Sequence, residues 1–191
     1  VVNCGRYDQR NGDIYNTWIP KFRGDIKVPL LSKDKIGSNT SLLMIKRIVL
    51  DKNIFFDPNM PAGQDWDFLI RICLFFNFDF VDKPLVIIHH HDGARVYNEI
   101  SSIKAYELQL KKYYHLISAD HFVYQKFLIR KALVEFVNGH RVKAKKSIHS
   151  YNYKKSFLMR LWFYYFTLFQ SNRNVLSKVI LKVLLFFTFK N

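Results

Sequence analysis

Apolar positions change spacing several times along the chain, and each change predicts a different element. Val1 to Cys4 reads as a short strand, followed by a polar turn over Asp8-Gln9-Arg10-Asn11-Gly12-Asp13, where Asn-Gly favours positive backbone angles. Residues 14–35 mix aromatics with Gly and Pro and predict a loop crossing the surface. Leu42-Leu43-Met44-Ile45 is a continuous apolar run that fits strand or helix, and Ser41 to Asp51 reads as strand running into helix. Apolar residues at 68, 69, 72, 73, 75 and 76 then repeat at helical spacing, so Asp65 to Phe76 is expected to be a buried helix closed by Asn77. Within it Arg71 follows Asp67 by one turn and is placed to pair with it. Phe78 to Asp82 and Leu85 to His91 predict two extended segments separated by Lys83-Pro84, the second rich in β-branched residues. From Glu99 the spacing turns helical again, with Ile100, Ile103, Tyr106, Leu110, Tyr113 and Tyr114 forming one stripe. A second helix is expected over Asp120 to Val137, ended by Asn138-Gly139 in a left-handed cap, and a third over 141–151 carrying Arg141, Lys143, Lys145 and Lys146.

The pattern is that of an α/β part to about residue 100 and a helical part after it. A chain of 191 residues has room for one ordinary domain, or for part of one with an appendage. Charge sharpens the division. Residues 1–100 hold 13 Lys/Arg against 12 Asp/Glu and residues 101–191 hold 17 against 3, together the 30 and 15 of the whole chain. A segment so basic implies a polyanionic partner, a membrane surface or a nucleic acid. The end of the chain favours the membrane. Phe157 to Phe169 and Val175 to Phe189 are aromatic-aliphatic blocks, neither clean enough for the ~20 apolar residues of a spanning helix, while Lys178 and Lys182 suit helices lying in the interface. The competing reading packs these blocks on an amino-terminal half expected upstream of Val1. Nucleic acid is disfavoured because the aromatics cluster in apolar blocks and are not spaced singly along a polar groove. Cys4 and Cys73 stand far apart in apolar contexts, as in a reduced cytosolic protein.

Candidate chemistry concentrates where a loop becomes a helix, at Pro61-Ala62-Gly63-Gln64-Asp65-Trp66-Asp67. Taken alone this is a helix start: Gly63 permits an unusual backbone angle, Asp65 can accept from exposed backbone N–H groups, and Asp67 lies near the positive end of the helix dipole. Its neighbours change the reading. Ile36-Gly37-Ser38-Asn39-Thr40-Ser41, Lys46-Arg47, Ile54-Phe55-Phe56-Asp57-Pro58, Gln64-Asp65-Trp66-Asp67, Pro84-Leu85-Val86 and His89-His90-His91 follow in that order. The succession resembles the family-two type of inverting glycosyltransferases over about residues 1–100. The resemblance implies the carboxy-terminal portion of a GT-A, nucleotide-diphospho-sugar transferase sheet, with a donor-binding half and its Asp-x-Asp motif expected upstream of Val1. It further implies transfer of a sugar from a nucleotide-sugar donor to a saccharide or lipid-linked acceptor, in polysaccharide or glycolipid synthesis, with the protein peripheral on the cytoplasmic face of a membrane. Without its donor half the chain is expected to bind no nucleotide-sugar tightly, to lack activity alone and to be poorly soluble.

The resemblance assigns Asp65 as the base that deprotonates the acceptor hydroxyl and His91 as a ligand completing a Mn²⁺ or Mg²⁺ site. Gln64, Trp66, Asp67 and Arg95 form the expected substrate-contacting set. Gln64 departs from the Glu common in the family, which confines it to hydrogen bonding. Trp66 is open between an apolar face for an acceptor sugar and core packing, Asp67 between the substrate, orienting the helix start and pairing with Arg71, and Arg95 between diphosphate and solvent. A glycosidase pair of Asp65 and Asp67 is disfavoured, because two residues apart on a helix they point to roughly opposite sides. A zinc hydrolase is also disfavoured: in an extended segment His89 and His91 share a face, but no His-Glu-x-x-His or Cys pair accompanies them. The alternative from another class is a noncatalytic basic module for membrane surfaces or nucleic acid, in which both aspartates merely start a helix.

Overall fold

The structure is a computed structural model that describes residues 1–32, 34, 36–91 and 99–149. The chain is mixed α/β and divides into two compact units, residues 1–127 and 128–191.

The first unit is organised around β1, Val2–Arg10. β4, Asp79–His89, runs parallel to it from Val2 to Gln9. Its other edge is shared by two antiparallel partners: β3, Leu43–Met44, opposite Val2 and Asn3, and β2, Asp13–Trp18, opposite Arg6 to Arg10. β1 therefore runs six residues further than its apolar start predicted. Its polar half stays extended because both edges are hydrogen-bonded and its side chains find partners, Arg6 lying over the Trp18 ring at 5.2 Å and Gln9 donating to the Gly12 carbonyl at 2.8 Å. The expected turn contracts to Asn11-Gly12, both at positive φ (53° and 93°), a two-residue hairpin loop of the kind that matches strand twist.

Several expectations are corrected in the same way. Residues 14–35 are not a continuous surface loop: they contain most of β2 and the short α1, Lys27–Leu31, whose Leu30 and Leu31 enter the core. The two extended segments around Lys83-Pro84 are one strand. Cys4 faces Val81 and Gly5 faces Pro84, so Asp82 and Lys83 are accommodated as a bulge, and Pro84 lies where the ladder is already interrupted. Thr40–Leu42 forms a 3₁₀ turn ahead of β3, and α2, Ile48–Asp51, follows, so strand does run into helix there.

The buried helix is α3, Gln64–Cys73, ending one turn before Asn77. It supplies Trp66, Phe68, Leu69, Ile70 and Ile72 to the core of the first unit. That core does not break near residue 100. α4, Glu99–Lys112, and α5, Tyr114–Ser118, follow, and Tyr113, Ile117, Val123 and Phe127 belong to the same cluster as α3. Of the predicted α4 stripe, Ile103 is buried whereas Ile100 and Tyr114 are exposed. α6, His121–Val137, is started by the Asp120 carboxylate, which accepts from the N–H groups of Phe122 (2.8 Å) and Val123 (3.0 Å). The predicted left-handed cap is present at Gly139, φ 84°.

The second unit is described as far as residue 149. There Leu128, Ile129 and Ala132 of α6, and Ala144 and Ile148 of α7, Arg141–His149, are buried. A polar group is buried with them: Ser147 donates to Glu135 at 2.7 Å, and Lys131 donates to both Glu135 and Ser147. Each member finds its partners inside the unit, so the group stabilises the helix pair without an orphaned charge. The apolar blocks at 157–169 and 175–189 lie outside the described residues. Among those described, no helix is long and apolar enough to cross a membrane.

Candidate functional site

The site is built where the Gly-Ser-rich stretch meets the start of α3. Asn3, buried on β1, donates to the Ile36 carbonyl at 2.8 Å and pins that stretch to the sheet. Gly37 follows at φ 76°, so close to Trp18 that a β-carbon there would lie 2.3 Å from Cη2 of the indole. Only glycine allows this approach. Across from it, Gly63 caps α3 in the left-handed region (φ 68°, ψ 33°), turning the chain so that Gln64 and Asp65 open the helix.

Between them lies an open cavity of about 590 Å³. Asn39, Thr40 and Ser41 form one wall and Gly63, Gln64 and Asp65 another, with Phe56 and Ala62 completing the lining. Asp65 is half-buried in this wall. Its Oδ1 accepts from the Trp66 backbone N–H at 2.8 Å, and its Oδ2 lies 3.5 Å from the Ser38 hydroxyl, at the outer limit of a hydrogen bond. Among the described residues no Lys, Arg or His pairs with it. The Gln64 side-chain amide donates to the Met60 carbonyl at 3.1 Å, so the residue holds the loop before the helix as well as lining the cavity.

Asp67 and Trp66, two residues expected to meet substrate, point into the protein. Trp66 is 5% exposed: its indole N–H donates to the Leu30 carbonyl at 2.8 Å, and its ring meets Tyr113 edge-on at 5.6 Å. Of its two open readings, core packing is the one the structure displays. Asp67 has no exposed surface and is the hub of a network. It accepts from Arg71 Nε at 3.0 Å, pairs with Lys112 Nζ at 2.7 Å, and accepts from the Tyr113 hydroxyl. Pairing with Arg71 was legible from the spacing; Lys112 and Tyr113 were not. Burial, and next the Asp67 carboxylate, push the Tyr113 phenol up, so it stays a proton donor. The network also fixes the cavity wall. Arg71 donates to the Phe55 carbonyl and Lys112 binds Asp57 at 2.6 Å, so the loop carrying Phe56 is tied to α3 and α4. The Lys112 ammonium, helped by the Asn59 N–H, holds the Asp57 carboxyl below its usual range.

The histidines divide as an extended segment requires. His89 and His91 are exposed, whereas His90 turns inward and its Nε2 lies 3.0 Å from Asp8 Oδ1. Asp8, on β1 and 4% exposed, also accepts from Arg6 Nε at 2.9 Å and Asn16 at 2.6 Å. Burial alone would raise its carboxyl; the bonds from His90, Asn16 and Arg6 outweigh that and hold it below the ordinary value. Among the described residues no three His, Cys, Asp or Glu side chains group as a metal site would require. Arg95 lies outside the described residues.

No protein-family model, curated protein or solved structure matches the chain.

Proposed function

We propose that this chain carries the acceptor side of an inverting glycosyltransferase with a GT-A type of sheet, and that Asp65 is its general base. The observation that carries the reading is the contrast between two carboxylates on one helical turn. Asp67 is buried and saturated with cationic partners, while Asp65 faces the 590 Å³ cavity with one oxygen oriented by a backbone N–H and the other bound only weakly by Ser38. A base needs an oxygen that can take a proton without breaking an ion pair, and of the two only Asp65 has one.

In a single displacement, an acceptor hydroxyl entering the cavity places its proton on Asp65 Oδ2 as its oxygen attacks the anomeric carbon of a nucleotide-sugar, and the nucleoside diphosphate leaves from the opposite face. The Trp66 N–H on Oδ1 orients the carboxylate, and Gln64 keeps the loop before α3 in place. Lipid-linked acceptors and an anionic membrane as partner are supported by α7, where Arg141, Lys143, Lys145 and Lys146 are exposed beside Val142, itself 72% exposed. The test is Asp65→Asn in the intact protein, assayed for nucleoside diphosphate release with donor and acceptor. General-base removal lowers turnover by about a hundred- to ten-thousand-fold. Turnover within a few-fold of the parent would refute the assignment.

A further inference from the structure

We infer that Phe56 is the platform on which a pyranose ring stacks in the cavity, so that this pocket selects a saccharide hydroxyl over a simple alcohol; the inference rests on the transferase reading of the same site. Phe56 is 49% exposed although it lines the cavity. Its ring is stacked on Phe68 at 4.3 Å and 26°, so one face is covered by a core residue and the other is presented outward. Phe68 is itself 4% exposed and anchored in the core, which makes the platform rigid. A half-covered aromatic ring left in water loses apolar contact that a ligand can restore.

The remaining lining gives the chemistry of that ligand. Asn39, Thr40, Ser41 and Gln64 supply amides and hydroxyls, and Asp65 a carboxylate, with no Lys or Arg among the described lining residues. Such a set suits a neutral polyhydroxylated ring, whose axial C–H groups make one face apolar and whose hydroxyls point outward from the edge. Phosphate or sulfate would meet Asp65 without a cation to offset it, so the anionic end of a donor or lipid belongs elsewhere. Trp66, the aromatic that sequence offers for this role, is committed to the core, and Phe56 is the ring that the loop delivers in its place.

The full chain is titrated with a panel of methyl pyranosides and, as a control, with cyclohexanol and inorganic phosphate, binding being followed by saturation-transfer and chemical-shift NMR. At least one pyranoside is expected to bind with saturation concentrated on the C–H protons of one face, and phosphate not at all. Phe56→Ala weakens that binding about tenfold, Phe56→Leu does the same despite its apolar side chain, and Phe56→Trp restores it. Each variant is checked by far-UV circular dichroism and its urea midpoint. Failure of every pyranoside to bind the folded chain, or binding unchanged in Phe56→Ala and Phe56→Leu, overturns the inference. Turnover that collapses in Asp65→Asn while Phe56→Ala binds unchanged would remove the platform and keep the transferase. Pyranoside binding lost with the ring, alongside Asp65→Asn turnover equal to the parent, would do the reverse.

Discussion

Replacing Asp67 by alanine tests whether the fold depends on the hub at the start of α3. Breaking a buried ion pair by removing one partner costs about 3–5 kcal/mol when the other charge stays buried. Here the stranded cations are not fully buried: Arg71 and Lys112 have 24% and 29% of their side-chain surface exposed. Each also keeps a second acceptor, the Phe55 carbonyl and Asp57. Solvent and these partners therefore recover part of the loss. Tyr113 recovers little, because its hydroxyl is left in a buried site with only the Asp67 carbonyl, 3.4 Å away, and an unsatisfied buried donor costs about 1–3 kcal/mol. Asp67→Ala is expected to destabilise by about 3 kcal/mol, with Tyr113→Phe costing about 1–2 kcal/mol alone and under about 0.5 kcal/mol once Asp67 is gone. Urea unfolding followed by tryptophan fluorescence, with Trp66 packed on Tyr113, and overlaid with far-UV circular dichroism, measures all four corners of the cycle. A loss below about 1 kcal/mol for Asp67→Ala, or strictly additive effects with Tyr113→Phe, would show that the network is decoration.

Three further outcomes are expected. The Asp8 carboxyl is held low in the folded state, so its share of stability is complete above its unfolded value of about 3.9 and is lost as pH falls through the folded value. Urea midpoints should thus fall between about pH 5 and pH 2, with a shallower acid limb in Asp8→Asn; equal limbs would exclude Asp8 as a source. Gly37→Ala combines a left-handed φ of 76° with a contact of 2.3 Å to Trp18, and should destabilise by about 2–5 kcal/mol in thermal melts, a change under about 1 kcal/mol counting against the close approach. Burial pushes the Cys73 thiol up to about 12, so a thiol reagent at neutral pH should reach it only on unfolding, while half-buried Cys4 reacts in the folded chain; rapid labelling of both would contradict the packing of α3.

How far the sequence revealed the site depends on how local each cause was. Gly63, Asp65, Asp67 and Arg71 lie within ten residues and obey helix-start and i,i+4 rules, so α3, its left-handed cap and its internal ion pair were legible. Local signals likewise found α6, which begins at the Asp120 carboxylate and is closed by Gly139 at φ 84°. Asp8 read as part of a polar turn because its partner His90 is 82 residues away, and only the parallel pairing of β1 with β4 brings them together. The same holds for Lys112, whose exposed-looking position at the end of α4 conceals a bond to Asp67 made across the fold. Aromatic residues were the least legible, since composition cannot tell a ring that fills a core from one that faces a cavity. Trp66 and Phe56 differ because the indole N–H finds the Leu30 carbonyl inside, whereas Phe56 has no polar atom to satisfy and rides a loop held at the surface by Arg71 at the Phe55 carbonyl and by Lys112 at the Asp57 carboxylate. That loop, and not the helix after it, decides which ring lines the cavity.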